Sequence, residues 1–75
     1  MPTLDQLLTG QRGEVETLAG DPELVQRLYE IGLLEGETVE VLGFAPLGDP
    51  VEVRVGNTRL SLRKPEAATV SVRLL

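Results

Sequence analysis

The sequence predicts a mainly β domain: a small, partly open barrel of five antiparallel strands, with one short helix between strands 1 and 2 and a short helical turn in front. Three observations carry this. Five short segments are each apolar on one side and polar on the other, the period of a half-buried strand. Asp21 to Ile31 alone has the spacing of an amphipathic helix with a marked start and stop. The chain has 75 residues, too few for two layers of helix, and a sheet curled on itself hides edges that a flat one would expose.

At the N-terminus, Thr3-Leu4-Asp5-Gln6 has capping-box spacing and Gly10 is a stop, so a single helical turn is predicted whose leucines cover one end of the core. Arg12 to Leu18 forms the first strand, with Val15 prominent and imperfect alternation, and Ala19-Gly20 breaks it. Asp21 then accepts an orphan amide of the helix, Pro22 fits a position that needs no amide, and Glu23 suits the positive end of the dipole. Leu24, Leu28 and Ile31 make one apolar stripe opposite Gln26, Arg27 and Glu30. Gly32 ends the helix in the left-handed conformation, and Leu33 folds back onto it in a Schellman-type cap. Leu34-Glu35-Gly36-Glu37 is a type II turn with Gly36 where φ must be positive.

The second strand is Thr38 to Phe44, with Val39 and Val41 on one face and Glu40 on the other; Leu42 and Phe44 break the phase at Gly43, which predicts a bulge. Ala45 to Pro50 is a loop. Val51, Val53 and Val55 then alternate with Glu52 and Arg54, Gly56-Asn57 is a two-residue turn, and Leu60 and Leu62 alternate with Arg59, Ser61 and Arg63. Closing that turn pairs Val53 with Leu60 and Val51 with Leu62, and sets Arg54 opposite Arg59 on the outer face. Lys64 to Ala67 is a corner before the closing strand of Val70, Val72 and Leu74.

Twelve acidic residues against seven basic give a net charge of −5, which repels phosphate backbones and disfavours nucleic-acid partners. One Tyr, one Phe and no Trp leave little surface for stacking bases. No apolar run approaches the length that spans a bilayer, and the N-terminus lacks the regions of a signal peptide, so no direct membrane insertion is expected. The chain contains no cysteine and no histidine. That removes disulfides, the soft and imidazole metal ligands and the usual nucleophile and base, and suits a reducing compartment. No catalytic residue, metal ligand or cofactor is expected. The carboxylate pairs Glu14/Glu16 and Glu35/Glu37 offer at most weak divalent association and are better read as a solvated acidic face.

Leu4-x-x-Leu7-x-x-Gly10, Arg27-Leu28-x-x-x-Gly32-Leu33-x-x-Gly36, Pro46-Leu47-Gly48-Asp49-Pro50, Leu60-x-Leu62-Arg63, Glu66-Ala67 and Val70-x-Val72 together resemble the FeoA family. The resemblance covers nearly the whole chain as one domain, residues 1–75. It implies an SH3-like barrel and a cytosolic bacterial protein with a role in ferrous iron uptake, through contact with the transporter FeoB and its GTP-binding domain. Glu35 stands where the family often has proline, and Ile31 where methionine is common; neither change threatens the turn or the core. The same domain type occurs at the C-terminus of iron-dependent repressors, which leaves a regulatory domain acting with such a repressor as the alternative. With no helix-turn-helix region ahead of the domain, a free-standing protein is expected.

The partner-binding candidates are set by exposure and charge. Arg54, Arg59 and Arg63 share an outward face and predict a local basic patch on an acidic protein, a dock for carboxylates; splaying of the three into water is the competing reading. Leu47, in an apolar loop with Phe44 and Pro46, and Tyr29 and Leu33 at the helix end are candidate apolar anchors. Exposed edge strands would permit a weak homo-oligomer.

Overall fold

The computed structural model describes residues 2–75. Its strands are β1 (Arg12–Leu18), β2 (Thr38–Phe44), β3 (Val51–Val55), β4 (Thr58–Leu62) and β5 (Val70–Leu74). A 3₁₀ turn at Leu4–Gln6 precedes them, and the helices are α1 (Pro22–Glu30) and α2 (Lys64–Ala67). The sheet runs β4-β3-β2-β1-β5, antiparallel throughout. No ladder joins β4 to β5 among the described residues, so the barrel is open along that line.

Local chemistry sets each turn. In the N-terminal turn the Thr3 N–H donates to Gln6 Oε1 at 3.0 Å, while the Thr3 hydroxyl donates to Asp5 at 2.5 Å. Asp21 Oδ1 accepts the Leu24 N–H at 2.9 Å and starts α1. Gly32 turns left-handed at φ +102°, and its N–H bonds the Tyr29 carbonyl at 3.0 Å while the Leu33 N–H bonds the Leu28 carbonyl at 3.0 Å, the paired bonds of a Schellman cap. The turn after it closes from the Glu37 N–H to the Leu34 carbonyl at 3.1 Å and is tied to β1 through both backbone groups of Val15: Gly36 N–H to Val15 O at 2.8 Å and Val15 N–H to Glu37 O at 2.9 Å.

The β3–β4 hairpin has the predicted register, Val53 opposite Leu60, Val51 opposite Leu62 and Arg54 opposite Arg59. The predicted bulge is present: the β2–β3 register shifts between Val41 and Gly43. A second one in β1, between Val15 and Thr17, makes Glu16 the extra residue and accounts for that strand's imperfect alternation. The expected corner at Lys64 to Ala67 is instead the single helical turn α2, because Glu66 reaches back to the Arg63 N–H at 2.8 Å and the Ala67 and Ala68 N–H groups bond the Arg63 and Lys64 carbonyls. The outer edge of β5 is occupied at its middle: Val72 N–H bonds the Pro2 carbonyl at 2.9 Å and Thr3 bridges Ser71. That pairing is long-range, and no local pattern announces it.

The core is aliphatic. Leu4, Leu28, Leu33, Val39, Val41, Val51, Val53, Leu62, Ala67, Val70 and Val72 are wholly buried, with Leu7 and Val15 nearly so, and no buried polar or charged residue is found among the described residues. Gly13 lies between two strands that approach closely. A Cβ there would sit 2.9 Å from Val72 Cβ and 3.3 Å from the Arg73 carbonyl oxygen, atoms at or beside the backbone that cannot swing aside. Gly13→Ala should therefore destabilise the domain by about 1–3 kcal/mol, each kcal/mol lowering the thermal midpoint by about 4–8 °C. A midpoint equal to wild type in a thermal melt would refute the close approach.

Candidate functional site

Two surfaces carry the exposed groups with chemistry to offer: the loop between β2 and β3, and the outer face of the sheet. The loop is braced by its own bonds. Gly48 N–H bonds the Ala45 carbonyl at 2.7 Å, Ala45 N–H bonds the Pro50 carbonyl at 3.0 Å, and Asp49 Oδ1 accepts the Lys64 N–H at 2.9 Å. Leu47 stands at its tip, 96% exposed, and Phe44 at its base is 37% exposed. An apolar side chain held out on a closed loop loses little freedom on contact with a partner, which is the economy of a preorganised anchor.

The helix end divides differently from expectation. Leu33 is wholly buried in the core, because the left-handed Gly32 turns it back beneath α1; it offers no surface to a partner. Tyr29 is half-buried and its hydroxyl donates to Glu35 Oε2 at 2.7 Å. The residue standing where the resembling proteins often have proline thus ties the turn to the helix.

On the sheet's outer face the three arginines are exposed, as expected, but they do not form an uncompensated basic patch. Arg54 pairs with Glu40 at 2.5 Å, Arg59 with Glu52 at 3.0 Å, and Arg63 approaches Asp49 at 3.8 Å. Carboxylates from the same sheet and from the β2–β3 loop meet all three, which relieves the repulsion between Arg54 and Arg59. Arg63 thus turns toward the loop that carries Leu47. The β1–β2 register adds a residue that local sequence could not place here: Arg12 lies opposite Glu40. Identifying it requires knowing which strand pairs with which, and no local spacing carries that information.

The carboxylates of β1 are committed as well. Glu14 and Glu16 both turn to Arg73, at 2.7 and 3.8 Å, and Arg27 of α1 pairs with Glu66 of α2. Among the described residues no three carboxylates converge as a metal site would need, and no helix is long and apolar enough to cross a membrane.

Comparison with known proteins gives consistent results. A sequence model of the FeoA domain matches residues 3–74. The Fe(2+) transport protein A/Fe(2+) transporter FeoB fusion protein of Porphyromonas gingivalis (strain ATCC BAA-308 / W83) is 35% identical over 72 residues, 96% of this chain; the chain spans only 8% of that protein's length. The solution structure of the FeoA protein from Chlorobium tepidum is 40% identical with a TM-score of 0.92, over 99% of this chain and 70% of that one. The zinc-complexed FeoA of Stenotrophomonas maltophilia, described as a prokaryotic SH3 domain protein, is 34% identical with a TM-score of 0.83, over 96% of this chain and 89% of that one. The barrel is accordingly SH3-like. A manganese-dependent transcriptional repressor matches at 21% identity and a TM-score of 0.90, over 99% of this chain and 41% of that one, a likeness of fold alone.

The Tyr29–Glu35 bond has a pH signature. Accepting the Tyr29 hydroxyl, with its own backbone N–H adding, holds the Glu35 carboxyl below its ordinary value of 4.5. Donating to Glu35, with some desolvation and the nearby negative charge, pushes the Tyr29 phenol above its ordinary 10.0. A lowered carboxyl stabilises above its ordinary pKa and loses that contribution as pH falls through the lowered value; a raised phenol stabilises below its ordinary pKa and loses it as pH rises through the raised value. The bond therefore spans the neutral range. In Tyr29→Phe the Glu35 carboxyl, followed by NMR, should titrate at a higher pH than in wild type, the fold being kept; an unchanged titration would refute the bond.

Proposed function

Because the chain belongs to the FeoA family, we propose that it is a non-enzymatic accessory module of ferrous iron uptake that docks on the cytosolic, GTP-binding part of a FeoB-type transporter. The observation that carries this is the Porphyromonas gingivalis protein, in which a stretch 35% identical to this chain and a transporter share one polypeptide. Covalent linkage turns a weak contact into an intramolecular one at high effective concentration; an unlinked chain needs a docking surface to reach the same neighbour.

The surface chemistry supports recognition. No histidine or cysteine is present to serve as nucleophile or base, and the exposed groups include an apolar loop tip, the most exposed of the large hydrophobics, and paired ions on a stiff sheet. Leu47 is the apolar anchor in this reading, with Arg63 and Asp49 beside it, while Tyr29, Arg54 and Arg59 lie on the other exposed faces. The likeness to a repressor, being of fold alone, adds no reason to look for a DNA-bound partner.

The test is a titration of this chain with the soluble cytosolic domain of the FeoB from the same organism. Saturable binding is expected. Leu47→Asp should weaken it by about tenfold or more, the order of burying one leucine, while the melting midpoint stays at wild type because Leu47 is 96% exposed. No binding at about 1 mM, where even weak complexes form, would overturn the docking reading.

A further inference from the structure

Five arginines, Arg27, Arg54, Arg59, Arg63 and Arg73, each have a carboxylate within salt-bridge distance. Arg12 has none among the described residues. It is exposed, it lies opposite Glu40 in the β1–β2 register, and Glu40 gives its carboxylate to Arg54 on the other side. The ladders carry the row onward, Glu40 to Arg54 and Arg54 to Arg59. Arg59, Arg54, Glu40 and Arg12 thus cross β4, β3, β2 and β1 in one line, about 14 Å long at the usual strand spacing. A cleft of about 210 Å³ opens on this line, walled by Arg12, Thr38, Glu40, Arg54 and Gly56.

Two guanidinium groups face one carboxylate there, so the side chains that wall the cleft carry one positive charge more than they neutralise, on a protein whose net charge is −5. The charge count selects the ligand. A phosphate dianion would meet Glu40 and the surrounding negative field, whereas a single carboxylate matches the unused charge and the planar fork of Arg12. We propose that this cleft receives an aspartate or glutamate side chain of the partner's cytosolic domain, which Arg12 grips while Arg54 and Glu40 fix the position of the row. The inference rests on the docking reading above and names a second point of contact, distinct from Leu47.

The same transporter domain is the probe. Arg12→Glu should weaken its binding by about tenfold or more, since a like charge then meets the partner's carboxylate, and Arg12→Lys, which keeps the charge without the fork, should fall between. Both are exposed changes, and thermal melts check that they fold. In the wild-type chain the Arg12 Nε–H NMR signal should shift on adding the domain, a readout that needs no variant. Binding that Arg12→Glu leaves unchanged, with a still Nε–H signal, overturns this inference and leaves the docking reading standing. No binding by the wild-type chain overturns both. Saturation of the Arg12 signal by inorganic phosphate alone, at lower concentration than by the domain, would mark a free-anion site and also overturn it.

Discussion

One hydrogen bond, from the Leu33 N–H to the Leu28 carbonyl across a left-handed Gly32, holds the two leucines on which this small domain depends. A nine-residue helix has too few internal bonds to persist in water by itself. The cap reverses the chain so that Leu28 and Leu33 enter the core from successive passes, and the turn beyond it is fastened to both backbone groups of Val15. Helix, turn, first strand and second strand are thereby clamped within a few residues, and the aliphatic interior has its lid. With no cysteine in the chain and no buried ion pair among the described residues, that clamp stands in for the staples small domains generally use.

The charged surface obeys a different logic. Nearly every arginine is satisfied by a carboxylate from a neighbouring strand, helix or loop, and such exposed pairs contribute little to stability. Their effect is on orientation: side chains that would sweep through water are confined to rows on a rigid sheet. An acidic protein arranged this way repels anions at long range and presents cationic points only at fixed places, which favours selectivity over strength.

Much of this is legible in the sequence wherever the information is local. The Asp21-Pro22 start, the Gly32 stop, the Gly36 turn, the bulge near Gly43 and the Gly56-Asn57 hairpin are all dictated by steric and hydrogen-bonding preferences of a few adjacent residues, and the structure has each of them. The rest is non-local. The partnership of Arg73 with Glu14, 59 positions apart, the place of Arg12 beside Glu40, the pressure of Val72 on Gly13 and the strand-like use of Pro2 and Thr3 depend on which strands become neighbours. Of the two readings of Leu33, the local one holds, the cap that folds it back onto the helix, and the anchor reading fails, because whether a folded-back hydrophobe is then covered depends on the strands packed beneath it. Leu47 can be named as a candidate from composition, but only the closed loop around it sets its exposure.

The partly occupied flank of β5 leaves the sheet lopsided, with Pro2 and Thr3 against Ser71 and Val72 on one side and, among the described residues, no strand paired to the far side of β4. An edge interrupted at its middle is a poor template for a further strand, whereas a free edge is a ready one. The two flanks of the folded sheet are therefore unlike, one interrupted at its middle and one open, and head-to-tail stacking of identical copies, which needs both flanks clear, is disfavoured.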